Sequence, residues 1–372
     1  MTSDLVFVGT YTDPSRQAGY EVSEENPVMG MTGKTGSAGV HVFGRNAETG
    51  RLDQIGSAAS VNPSFLALDS RRRWLFAVNE VRTYNGSLSG SVTSFAVDAA
   101  TGELEYINEV ATGGGNPCHL SVSPSDRHLY VANHEAGSIA VIPIDERGQL
   151  SPLIDLKVDA ATDERASHAH FVLPDPSGTY VMSSNTGTDR VMMYNVDAQD
   201  GSLTPNDPPW GETHHGGSPR HLAFSPDGEY LFANGEADLS LSLFRFDATR
   251  GRLDYLQHGW TAEKLDDGVR RSTAQLQVHP GGRYVYVSNR GDDNIAVFAF
   301  DPSRDRLECI AHVSTMGKTP RNFVIDPRGE FLYAANQNSN QIECFVIDTD
   351  TGLLEHHGVA AKVAAPTCIL FG

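Results

Sequence analysis

One passage of roughly fifty residues recurs along the whole 372-residue chain. Pro63 opens PSFLALDSRRRWLFAVNE, Pro117 opens PCHLSVSPSDRHLYVANHE and His168 opens HAHFVLPDPSGTYVMSSNTG. Pro219 opens PRHLAFSPDGEYLFANGE, Thr273 opens TAQLQVHPGGRYVYVSNRG and Pro320 opens PRNFVIDPRGEFLYAANQN. Successive starts lie 54, 51, 51, 54 and 47 residues apart, and Pro366 falls in a last APTCILFG, 46 residues on. The copy at Ser218–Asp247 shows the unit most clearly. An apolar run, Leu222-Ala223-Phe224, is followed by the turn Pro226-Asp227-Gly228. Tyr230 to Ala233 comes next, then a break at Asn234-Gly235 and an alternating run from Leu239 to Phe246. Short apolar and alternating runs separated by turn residues predict a meander of strands.

A second marker counts the units independently. An acidic residue or Asn, a Gly and a Leu recur as a hairpin leading into a fourth strand. The copies include Asn46/Gly50/Leu52, Asp98/Gly102/Leu104 and Asp247/Gly251/Leu253, and Asp301/Asp305/Leu307 carries Asp where the Gly should stand. Gly suits the left-handed position of such a turn, and Asp tolerates it less well. Seven starts and seven hairpins predict an all-β, seven-bladed β-propeller with four antiparallel strands per blade. The C-terminal Pro366 to Phe371 supplies only an inner strand. Leu5 to Val8, Gly39 to Phe43 and Leu52 onward supply the other three. One blade shared between both termini would close the ring and remove its open edges.

Length alone would suggest two or more domains. The repeat overrides this, because each blade buries its faces only against its neighbours, and residues 1–372 are expected to form one domain. Residues 12–38 are an insertion that reads either as a lid over one face or as a surface loop. Residues 80–92 form another long connection, and 157–167, 204–218 and 258–272 read as polar bridges between blades. The net charge of −19 disfavours nucleic acid and anionic membranes as partners. The four cysteines, Cys118, Cys309, Cys344 and Cys368, have neither metal-site nor disulfide-framework spacing. With no basic-then-apolar leader and no membrane-length apolar run, a soluble cytoplasmic protein is expected.

Connectivity places the candidate site. Each inner strand starts, and each second strand ends, on the same face near the axis. A strict two-residue alternation puts Phe65, His119, His170, His221, Gln275, Asn322 and Cys368 at position three of the inner strands. Position two then reads Ser64, Cys118, Ala169, Arg220, Ala274, Arg321 and Thr367. Two imidazoles, His168 and His170, leave one face of a strand near the axis, where a core would prefer apolar side chains. His119 and His221 also suit a structural role, bonding the backbone of a neighbouring blade. On so acidic a chain, Arg220, Arg290 and Arg321 point to a bound carboxylate or phosphate, and their structural alternative is pairing with carboxylates such as Glu236. No carboxylate or Cys completes a ligand set around His168 and His170, so no metal is expected. There is no G-x-S-x-G elbow, and Gly113-Gly114-Gly115 precedes a strand, so no nucleotide loop is expected.

Together these residues resemble the seven-bladed propeller lactonase family, which includes bacterial 6-phosphogluconolactonase and the fungal carboxymuconate lactonizing enzyme. The matching pieces are Val8-Gly9-Thr10-Tyr11-Thr12, His168-Ala169-His170 with Gly187-Thr188-Asp189, and Pro219-Arg220-His221 with Glu236. Ser288-Asn289-Arg290-Gly291 and Pro320-Arg321-Asn322-Phe323 with Ala335-Asn336-Gln337 complete them. The chain departs from the family at Asn185, Gln275 and His134. The resemblance implies a catalytic group of His170, Arg220, Glu236 and Arg290. His119, His168, His221, Arg321 and Gln337 are the expected substrate-binding residues. The expected reaction is hydrolysis of a small anionic lactone or sugar-acid lactone, without cofactor. Arginines would hold the acid, and His170 or Glu236 would activate water. A muconate-type cycloisomerase and a non-catalytic binding platform are the alternatives.

Overall fold

The computed structural model describes residues 4–13, 15, 35–159, 161, 165–262 and 268–372. Most of the 12–38 insertion, read as a lid or surface loop, therefore lies outside the described residues. Seven four-stranded antiparallel sheets form the blades. Each inner strand touches the inner strands of both neighbouring blades, and Pro366–Phe371 touches Pro63–Leu68, so the ring closes. The shared blade has the expected order, Leu52–Ala59, Gly39–Arg45, Asp4–Thr10 and Pro366–Phe371.

The turns form for local reasons. In the six blades whose inner strand runs on into the second, the residue after the inner strand caps that turn. Asp175 Oδ1 accepts from the Tyr180 N–H at 2.7 Å, Asp326 Oδ1 from Phe331 at 2.9 Å and Ser225 Oγ from Tyr230 at 3.0 Å. In the seventh outer hairpin Asp305 does adopt the left-handed conformation, with φ of 54°. Its carboxylate is held there by the Tyr230 hydroxyl at 2.6 Å.

The core lies between blades. Phe76, Val78 and Trp74 of one sheet pack on Leu120, Leu129 and Val131 of the next. Phe232, Leu241 and Leu243 likewise meet Leu276, Val285 and Phe298. Three of the expected bridges are shorter than the sequence implied, because the outermost strands run further. Leu203–Glu212, Asp155–Val158 and Arg252–Trp260 are strands. Prolines 205, 208 and 209 hid the first of these, but an edge strand tolerates residues that donate no ladder hydrogen bond. The 80–92 connection contains a small hairpin, Thr83–Tyr84 with Ser87–Leu88. Among the described residues no helix is long and apolar enough to cross a membrane.

Candidate active site

Strict alternation fails at the start of the inner strands. In every blade the pairing of the inner strand slips by a bulge near its start. Most often position two is the extra residue, and a bulge re-aims such a side chain. Consecutive residues can then meet: Arg220 Nη1 donates to His221 Nε2 at 2.7 Å and to the Ala274 carbonyl at 2.8 Å.

The third blade also sits one residue from its expected register. Ala169 pairs with Asn185 just as Pro117 pairs with Asn133. His170 therefore stands at position two with Cys118, Arg220 and Arg321. Phe171, not His170, stands at position three with Phe65, His119 and His221. The three histidines expected at one level are two histidines and a phenylalanine.

Position three forms a floor of rings across the channel. His119 stacks on Phe171 with centroids 3.5 Å apart, and Phe65 lies 4.1 Å from His119 and 6.1 Å from His221. Three polar contacts tie this layer to neighbouring blades. His119 Nδ1 accepts from the Val172 N–H at 3.3 Å, and His221 Nδ1 donates to Gln275 Oε1 at 2.6 Å. Asn322 Oδ1 accepts from the Ile369 N–H at 2.9 Å. Beyond the floor a cavity of about 640 Å³ is lined by Leu68, Val122, Leu173, Phe224 and Val278.

Above the floor, position two meets a second ring of residues, those that follow each second strand. Their backbone N–H groups bond the carbonyl just before an inner strand: Tyr11 to Ala365, Glu80 to Asn62, His134 to Asn116, Glu236 to Ser218 and Gln337 to Thr319. Arg290, which ends Tyr284–Arg290, occupies the same place in its blade. This is how a periodic backbone gathers chemically different side chains at one mouth.

The predicted catalytic group is brought together. Glu236 Oε1 accepts from Arg290 Nη2 and lies 3.4 Å from Arg220 Nε. Burial alone would raise the Glu236 carboxyl, but Arg290 and Arg220 outweigh it and hold its pKa at about 2. Burial, with Arg290 beside it, lowers Arg220 to about 9. The His170 pKa is pushed well below the usual histidine value by burial and by Arg220. Its Nδ1 is buried without a hydrogen-bond partner.

The predicted substrate-binding residues divide. Arg321 lies at the mouth, 3.7 Å from Glu80 and with its guanidinium 5.0 Å from the Tyr11 ring centroid. Gln337 is buried there with its Oε1 unpartnered. His168 is half-buried and stacks on His134 at 4.9 Å, its Nδ1 3.1 Å from the His134 carbonyl. His134 itself falls to about 4, through burial and the neighbouring His168. His119 and His221 belong to the floor. Among the described residues no three His, Cys, Asp or Glu side chains are grouped to hold a metal ion.

The sequence reading missed Glu80 as a site residue. It is 5% exposed, accepts from the Tyr11 hydroxyl at 2.9 Å and faces Arg321. Its repeat equivalence to Glu236, one residue past a second strand, was the available signal.

Residues 6–371 match the family model described as lactonase, 7-bladed beta-propeller. A 6-phosphogluconolactonase of Bacillus subtilis is 29% identical over 100% of this chain and 99% of its own length. One of Formosa agariphila is 31% identical over 80% of this chain and 85% of its own. Among solved structures, the periplasmic gluconolactonase of Pseudomonas aeruginosa superposes with a TM-score of 0.86 at 29% identity, covering 99% of this chain and 98% of that one.

Proposed function

The chain belongs to the seven-bladed β-propeller lactonase family, and from that premise we propose that its mouth hydrolyses the ester bond of a sugar-acid lactone. The observation carrying the proposal is His170. An imidazole nitrogen, buried and unpartnered, stands at the same ring position as Arg220, which shares Glu236 with Arg290. His170 accepts a proton from water as the water oxygen bonds to the lactone carbonyl carbon. Arg220 and Arg290 face the oxyanion that forms. Collapse of that intermediate breaks the bond to the ring oxygen, which takes the proton from His170. One water is consumed, and the new acid ionises to release one proton. Glu236 stays ionised throughout, its carboxylate engaged by Arg290 and Arg220. Its role is to position the two arginines.

A pH-stat screen of plain and phosphorylated aldonolactones against muconolactones tests this. Acid release from an aldonolactone is expected. Release from muconolactone alone, or from none, would remove the assignment. A cytoplasmic location belongs to the same proposal and is supported by four unpaired cysteines. Fractionation of the native host checks it, with recovery outside the cytoplasm as the contrary result.

A further inference from the structure

The charges at the mouth nearly cancel. Arg220 and Arg290 share Glu236, and Arg321 faces Glu80. Three arginines against two carboxylates leave one net positive charge among these described side chains. His221 adds none, because its Nε2 must accept from Arg220 while its Nδ1 donates to Gln275, which fixes it as the neutral tautomer. His170 and His134 are held neutral by burial beside cations.

A single positive charge complements the single negative charge of a lactone's oxyanion. A phosphoryl group would add about −1.5 to −2 at pH 7 and need cations of its own. The surrounding rim offers cations already engaged. Arg82 pairs with Glu135 at 2.9 Å, Arg165 with Asp189 at 2.6 Å and Lys318 with Asp293 at 3.0 Å. Uncharged hydrogen-bonding capacity, by contrast, is left over. At position two, Ser64 Oγ and Thr367 Oγ1 are buried without partners, in residues 3% and 2% exposed. Buried hydroxyls are normally satisfied, and these two stand on adjacent inner strands beside the mouth.

We propose that the mouth takes the unphosphorylated lactone of a polyhydroxy acid, with Ser64 and Thr367 binding its hydroxyls and Glu80 disfavouring a phosphoryl group. This rests on the lactonase reading above and adds the substrate class. The test uses the full chain and compares pH-stat rates on glucono-1,5-lactone and 6-phosphoglucono-1,5-lactone, each corrected for spontaneous opening. The plain lactone should have a kcat/KM at least about tenfold higher. Equal or better turnover of the phosphorylated lactone overturns this inference and leaves lactone hydrolysis standing. Turnover of neither removes the lactonase reading and this one with it. The Glu80→Gln variant keeps the Tyr11 hydrogen bond and should shift the ratio about tenfold toward the phosphorylated substrate. An unchanged ratio contradicts the proposal. Should that variant fail to fold, product inhibition of the unaltered enzyme decides. Gluconate should inhibit more tightly than 6-phosphogluconate, and the reverse order overturns the proposal.

Discussion

Two rings of side chains, one residue apart on the same seven strands, have opposite chemistry. The lower ring, with Phe65, His119, Phe171 and His221, stacks into a floor and bonds the Nδ1 atoms of both histidines to neighbouring blades. The upper ring, with His170, Arg220, Arg321, Ser64 and Thr367, crowds charges and leaves buried polar atoms unanswered. Residue type alone does not separate them, since both carry histidine. What separates them is where the hydrogen bonds go. A histidine whose Nδ1 bonds the fold is held by it, and one whose Nδ1 is buried and free can take a ligand.

Substitutions of the same kind should therefore have unlike effects in the two rings. The largest effect is expected in the upper one. Arg220→Ala or His170→Ala should each lower kcat/KM by roughly 10²–10⁴-fold, read on the lactone identified by the pH-stat screen. His119→Gln should keep turnover within about threefold, because its ring nitrogen serves Val172 and not substrate. Equal losses at His170 and His119 would erase the distinction.

The next effect is on stability. Phe171→Ala removes the central ring of the floor and should cost about 3–5 kcal/mol in urea denaturation. A loss under about 1 kcal/mol would mean that the floor is not packed as described.

A smaller effect concerns pH. His119, His170 and His221 have folded pKa values well below 6.5, through burial and Arg220. The unfolded chain therefore binds protons that the folded chain refuses. Stability should be full above about pH 6.5 and fall below it, by about 1.4 kcal/mol per pH unit for each histidine. Removing one, as in His119→Gln, should reduce that slope by about one such increment. For the same reason kcat/KM should show no inflection near pH 6.5, since His170 remains neutral and able to accept a proton well below it. A drop centred there would mean that His170 titrates as an exposed histidine does.

Blade number, strand count and ring closure were legible because they are periodic, and the period survives residue substitution. The ring to which His170 belongs was not, because His168-Ala169-His170 ends in the same residue as Pro117-Cys118-His119. One signal could have corrected it. In the other copies the turn-capping residue lies six positions after the strand start, as Ser123 follows Pro117 and Ser225 follows Pro219. Asp175 then points to Ala169, not His168. The bulges are invisible in an alternation of apolar and polar residues, yet they let Arg220 and His221 touch. Glu80 escaped notice because its contacts with Tyr11 and Arg321 join three different blades, and no local spacing records them.

A crystal structure with gluconate bound tests the central claim most directly. The carboxylate should lie against Arg220 and Arg290 within reach of His170, with hydroxyls toward Ser64 and Thr367. Gluconate bound instead below the floor of rings, in the cavity lined by Leu68, Val122 and Phe224, would contradict the account.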